Sequence, residues 1–233
     1  MLTLHSCCLL TLVNRFSLGA NAALKTLGEL GASAVEKYNI RGAALLCTPF
    51  DQERNSRVLA EPGINRAIYT SSLLKKLKGK AQEKLDAFCD SDPETTDFDY
   101  KRAMEAETIT VFDDAFIAPI YDYEDCWDYY RKTSSIHFME DVAVPTYIIN
   151  ADDDPFFDSS VFPVEKTISG GGRAPIIMQQ TRSGGHLGFC FHLVDDKDPR
   201  LKTKGEESWA PAEAARFLKH VDKNEVQLKR WYF

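Results

Sequence analysis

Arg15-Phe16-Ser17-Leu18-Gly19-Ala20-Asn21 follows an apolar run, Leu9 to Val13, and leads into a helix-like run, Ala22 to Leu30. The order is strand, sharp turn, helix, with a serine at the turn. A serine in a strained strand-to-helix turn holds its Oγ clear of the backbone at the end of a parallel sheet, the geometry written G-x-S-x-G. Gly19 occupies the second glycine position of that pattern, where a residue without Cβ lets strand and helix approach closely. Arg15 stands at the first glycine position, a departure expected to strain the turn. On these seven residues alone, the competing reading is a Ser/Gly helix start with Ser17 as N-cap, and S-x-G by itself does not displace it.

Working outward, a nucleophilic serine of this kind needs an acid and then a histidine downstream, each at the C-terminal end of a strand. Pro145-Thr146-Tyr147-Ile148-Ile149-Asn150 reads as a short buried strand running into Ala151-Asp152-Asp153-Asp154-Pro155. Pro175-Ile176-Ile177-Met178-Gln179-Gln180 reads as the next strand, running into Ser183-Gly184-Gly185-His186-Leu187-Gly188-Phe189. The interval from Asp154 to His186 accommodates one helix and one strand.

Arg41-Gly42-Ala43-Ala44-Leu45-Leu46-Cys47, small and apolar without alternation, fits a strand covered on both faces. A helix is expected from about Leu18 to Leu30, with Gly31 as its C-cap. From Asp51 to about Asp141 the alternation of strands and helices stops, and residues recur at helical spacing. The clearest helices are expected at Asn65–Leu77, Lys80–Phe88, Asp97–Ala106 and Tyr123–Lys132, with breaks at Pro62-Gly63 and Asp90-Ser91-Asp92-Pro93. Phe112, Phe116, Tyr121, Tyr123, Trp127, Tyr129 and Tyr130 are either packing residues of these helices or the lining of an apolar acyl pocket. A helix near Pro163–Ile168, a loop at Gly170-Gly171-Gly172 and a closing amphipathic helix from Ser208 to Val221 complete the reading. The expected fold is α/β, with a mostly parallel sheet. Its parts are 1–50 for the turn region of the core, 51–141 for a helical cap, and 142–233 for the rest of the core.

The 233 residues are 44% hydrophobic and 27% charged, with a net charge of −7. This suits one globular α/β domain with a sizeable core. No face-forming basic run occurs, which argues against nucleic acid as a partner. The basic cluster Lys75-Lys76-Leu77-Lys78-Gly79-Lys80 reads as the solvated face of a helix. Cys7, Cys8, Cys47, Cys89, Cys126 and Cys190 are scattered without a C-x-x-C pair, so zinc and thioredoxin-type sites are not expected and reduced thiols are. The acidic turn at 152–154 lacks the glycine and terminal glutamate of a calcium loop. No metal or cofactor is therefore expected. Met1 to Val13 is too short to span a bilayer and has no basic n-region, so it is read neither as a membrane helix nor as a signal peptide. Localisation is cytoplasmic or membrane-associated on this reading.

The chain resembles the YheT-type branch of the α/β-hydrolases, a group that includes plant embryogenesis-associated and animal α/β-hydrolase-domain lipid hydrolases. The matching pieces are Phe16-Ser17-Leu18-Gly19-Ala20-Asn21, Thr48-Pro49-Phe50-Asp51, Phe112-Asp113-Asp114-Ala115-Phe116 before Ala118-Pro119, and Asp128-Tyr129-Tyr130-Arg131 before Ser134-Ser135. To these are added Val144-Pro145-Thr146 before Asn150-Ala151-Asp152-Asp153-Asp154-Pro155-Phe156, and Gly184-Gly185-His186-Leu187-Gly188-Phe189. The last two are the most specific, and the order and spacing match the C-terminal portion of the family.

The resemblance implies a serine hydrolase of carboxylic esters, with lipid acyl esters and substrates at a membrane surface among those expected. Ser17 would be the nucleophile, His186 the base and Asp154, favoured over Asp153, the orienting acid. The backbone N–H of Leu18 would be one oxyanion donor by position. His192 reads as a bystander, and His5, His137 and His220 carry no motif. The resemblance also implies four strands and their helices ahead of the serine turn. Only residues 1–16 precede Ser17 in this sequence. The loop that would donate the second oxyanion N–H has no counterpart here, and losing such a donor costs on the order of 10²–10³ in rate. The strand feeding Ser17 would then be a sheet edge open to pairing. Two alternatives follow: an inactive remnant that binds a partner, and an acyltransferase that uses the same serine.

Overall fold

The computed structural model describes residues 11–63, 65–88, 92–164, 174–189 and 209–223. The chain divides into two compact units. One comprises 1–50, 135–154 and 159–233; the other comprises 51–134 and 155–158.

The first unit is built on a four-stranded sheet, all parallel among the described residues: β1 (Thr11–Phe16), β2 (Ile40–Leu46), β3 (Thr146–Ala151) and β4 (Ile176–Thr181), in that spatial order. Register follows burial. β2 carries Gly-Ala-Ala-Leu-Leu and β3 carries Thr-Tyr-Ile-Ile-Asn-Ala, and both are buried on their two faces, as parallel strands covered by helices must be. Phe16 lies opposite Leu46, and Leu46 opposite Ile149, so the strands end at a common edge. β1 is much more exposed, and Phe16 keeps 61% of its surface accessible.

Helix α1 (Leu18–Leu30) covers the sheet with Ala20, Leu24, Leu27 and Gly28, the i, i+4, i+7, i+8 stripe of an amphipathic helix. Full burial of Leu24 and Leu27 contributes about 1.5–3 kcal/mol each. Gly31 ends the helix at φ 50, its N–H returning to Leu27 O. Gly28 is a packing glycine: a Cβ there would lie 2.2 Å from Phe138 O. A short α2 (Ser33–Glu36) leads into β2. Beyond β2, Asn150 on β3 donates to Thr48 O at 3.0 Å and accepts from Thr48 N at 2.9 Å, tying the ends of the two central strands together.

The second unit is helical: α3 (Gln52–Ala60), a π-helical turn (Asn65–Thr70), α4 (Ser71–Phe88), α5 (Tyr100–Glu105), α6 (Ile109–Phe112), a π-helical turn (Asp113–Ile117), α7 (Ala118–Ile120) and α8 (Cys126–Thr133). α4 passes through Gly79 without a break, which corrects the expected division between Leu77 and Lys80. Its lysines do lie on a solvated face, with Lys75, Lys76 and Lys80 exposed. α5 and α8 start later than expected, because Asp99 and Asp125 serve as N-caps, accepting from Arg102 N and Asp128 N. Phe112 and Phe116 belong to a core with Leu74, Ala81, Phe98 and Ala103, while Trp127 meets Tyr130 edge to face and Tyr129 tilts against Tyr130. Tyr121 is 65% exposed. Packing among the helices therefore accounts for most of the aromatic set.

The closing helix of the first unit, α9 (Trp209–Lys223), packs on the sheet through Phe217 against Tyr147 and Val221 against Gly42. The helix expected near 163–168 falls almost wholly outside the described residues. So do the loop at 170–172, Cys7, Cys8, Cys89, Cys190, His5 and His192. Among the described residues, no helix is long and apolar enough to cross a membrane.

Candidate active site

β1 delivers Ser17 to the shared C-terminal edge of the sheet. The Ser17 N–H continues the ladder to Leu46 O at 2.9 Å, and the backbone then reverses at φ 51, ψ −135 before α1 begins. Ser17 stands at the N-cap position, yet its hydroxyl makes no cap bond. Its Oγ instead lies 2.9 Å from His186 Nε2. The strain falls on Ser17 rather than Arg15, whose φ is not positive and whose exposed side chain bonds the adjacent Asn14 O. Gly19 is not forced by crowding either, since a Cβ there would meet only Arg15 Cδ, at 3.8 Å.

β3 ends in the three aspartates, and each has its own partner. Asp152 bonds the Gln180 side chain. Asp153 Oδ1 accepts from both Gly184 N and Gly185 N at 2.8 Å. Asp154 Oδ2 lies 2.8 Å from His186 Nδ1, its side chain 1% exposed against 15% for His186. The tautomer with hydrogen on Nδ1 donates to Asp154 and leaves Nε2 to accept from Ser17 Oγ. Asp153, though exposed, ties the acid turn to the histidine loop.

That loop is compact for a sequence reason. A Cβ on Gly184 would lie 2.5 Å from the Phe189 ring, and Gly185 has φ 56. Phe189 N bonds Gly184 O at 2.7 Å, closing the turn, and the Phe189 ring is buried. Leu187 and Phe189 also take positive φ, at 68 and 41. Non-glycine residues in this region are costly, and such strain collects at functional sites.

Cys47, just past β2, was not foreseen. It takes φ 51, is fully buried, and its Sγ accepts from Leu187 N at 3.3 Å. Ligand atoms of Cys47, Asp154 and His186 lie within 4.8 Å of one another. Burial pushes the Cys47 thiol up to about 12, the nearby Asp154 carboxylate adding to the rise and the Leu187 N–H opposing it. A thiol held neutral in this way is a poor nucleophile. The signal in the sequence was position alone: Cys47 ends a central strand at the edge where the other three groups end theirs. His137 and His220 sit on other elements.

The Leu18 N–H opens α1, where the first-turn N–H groups have no intrahelical acceptor. The arrangement can therefore take a proton from a serine hydroxyl, hold the imidazolium that results, and offer a main-chain donor beside the serine.

The chain is similar to several known proteins. YheT of Escherichia coli is 33% identical over 174 residues, which cover 75% of this chain and 47% of YheT. Monoacylglycerol lipase ABHD2 of Danio rerio is 25% identical over 175 residues, covering 75% of this chain and 40% of that protein. Medium-chain fatty acid ethyl ester synthase/esterase 2 of Saccharomyces cerevisiae is 26% identical over 223 residues, 88% of this chain and 45% of its own length. The chain thus spans about half the length of the curated relatives it matches. No family model matches it. The relatives and the parallel sheet agree, and over three quarters of its length the chain is similar to the YheT-type branch of the α/β-hydrolase superfamily.

Proposed function

We propose that this chain carries the catalytic groups of a serine hydrolase of carboxylic esters, with lipid acyl esters as the substrate class. The observation that supports it is the continuous relay from Ser17 Oγ through His186 to Asp154, at 2.9 and 2.8 Å. In this reading His186 Nε2 removes the Ser17 proton as Oγ attacks the ester carbonyl carbon. Asp154 holds the ring in the required tautomer and stabilises the imidazolium. The Leu18 N–H donates to the oxyanion. Collapse of the tetrahedral intermediate expels the alcohol, which takes its proton from His186, and leaves an acyl-Ser17. Water, deprotonated by the same imidazole, then releases the acid.

The substrate class follows the relatives, one named as a monoacylglycerol lipase and another as a fatty acid ethyl ester synthase/esterase. The second name favours acyl transfer as the alternative outcome, in which an alcohol replaces water in the second half-reaction.

The test is labelling of the purified chain with a fluorophosphonate, beside Ser17→Ala, followed by turnover of aryl esters of increasing acyl length with and without added ethanol. Labelling confined to the wild type is expected, with turnover rising toward medium or long acyl chains. Ethyl ester accumulation would assign the transferase alternative. Absence of labelling in a folded, monodisperse sample would overturn catalysis and leave a binding role.

A further inference from the structure

We propose that Cys47, His186 and Asp154 form an inhibitory site for a thiophilic divalent cation such as Zn²⁺. The three residues come from the ends of β2 and β3 and from the loop after β4. They offer one sulfur, one imidazole nitrogen and one carboxylate oxygen, all within 4.8 Å of one another. That donor set suits zinc, which binds Cys, His and carboxylate ligands together. In a tetrahedral site with bonds of about 2.0–2.3 Å, ligand atoms end about 3.5 Å apart, so the groups must close by on the order of 1 Å. Little rearrangement of side chains is needed. Asp154 and Cys47 are buried and His186 is nearly so, and the Asp154–His186 pair is already in contact. The positive charge also suits a site where a carboxylate is buried.

Binding needs no redox partner. The Cys47 S–H bond breaks, its proton passes to solvent, and the sulfur electron pair forms the Zn–S bond. Whichever ring nitrogen binds, His186 ceases to be a base toward Ser17. If Nε2 binds, its electron pair is used. If Nδ1 binds, the proton of the neutral ring must sit on Nε2, which then donates to Ser17 Oγ. Metal binding thus opposes the protonation state that the serine needs. The effect on turnover rests on the serine-hydrolase reading; the binding itself does not.

The experiment titrates the reduced full chain with Co²⁺ and follows the thiolate-to-cobalt charge-transfer absorption. The band is expected to saturate at one equivalent and to be displaced by Zn²⁺. It should vanish in Cys47→Ala, and in Cys47→Ser should the alanine variant not fold. Affinity should fall in His186→Gln by more than the roughly 10–100-fold that loss of an outer-shell partner costs. Saturating Zn²⁺ should slow fluorophosphonate labelling of Ser17 at least about tenfold, with recovery on adding EDTA. No band in the wild type, or an unchanged band in either the Cys47 or the His186 variant, overturns the site. If Ser17 fails to label even without metal, the hydrolase reading fails while the cobalt band still decides the metal site.

Discussion

Three adjacent carboxylates with three different partners show how strongly a residue's role depends on a few ångströms. Asp154 faces the imidazole, while Asp153, one residue earlier, holds the two glycine N–H groups that set the position of His186. Removing the second carboxylate leaves the relay residues in place but frees the loop, and a misplacement of about 1 Å can cost 10²-fold. Asp153→Ala is expected to slow fluorophosphonate labelling about 10–100-fold. Asp153→Asn, which keeps an acceptor oxygen, should recover most of the rate, and neither variant should move the pH midpoint of labelling. Asp154→Asn, which disturbs the tautomer, should cost about 10⁴-fold. Gly184→Ala sets a methyl against the Phe189 ring, at 2.5 Å before relaxation. It should lower stability by about 1–3 kcal/mol, read as a lower denaturant midpoint, and slow labelling as well.

Elements are held by polar ties as much as by apolar faces. The Asn150 side chain satisfies both main-chain groups of Thr48 where β2 gives way to the Thr48-Pro49-Phe50 turn, and it is fully buried. Asn150→Leu keeps the approximate volume but orphans a buried N–H and a buried C=O. The expected cost is about 2–4 kcal/mol by chemical denaturation. In the helical unit, Asp125 caps α8 through Asp128 N at 2.7 Å, and Asp125→Ala should cost about 1 kcal/mol. The same caps explain why helix starts were misplaced when read from the sequence. A cap residue is continuous with its helix in any periodic pattern, and only its extended backbone separates it. Gly79 misled in the opposite sense, since a glycine costs a helix only about 1 kcal/mol and a long packed helix absorbs that.

At the scale of the molecule, one buried carboxyl gives the helical unit a dependence on pH. In the helical unit Asp113 is 8% exposed and accepts from Tyr130 Oη at 2.7 Å. Burial raises its carboxyl from 3.8 to about 7, against the opposing effect of the Tyr130 hydroxyl. Between those values the folded chain holds a proton that the unfolded chain has released, so stability falls as pH rises through about 4 to 7 and levels off above. Asp113→Asn, which still accepts from Tyr130, should flatten this slope. It should also raise stability near pH 8 by on the order of 1–3 kcal/mol, measured as thermal or urea midpoints of both proteins across pH 4 to 8.

Much of this molecule follows from local pattern. β2 and β3 were legible because unbroken apolar runs between turn residues have few other uses, and α1 because its apolar stripe and terminal Gly31 agree. The order of serine, aspartate and histidine at three strand ends was legible for the same reason, since strand ends are where a parallel sheet exposes side chains. What the chain could not declare by itself was the pairing of neighbours distant in sequence. Asp153 and Asp154 are chemically identical until the loop from Gly184 to Phe189 folds back and gives one the glycine N–H groups and the other the imidazole. Cys47 is an unremarked strand-end thiol until that loop brings His186 and the Leu187 N–H beside it. Local propensity fixes which residues sit at an edge; only the closing of loops over tens of residues decides which of them touch.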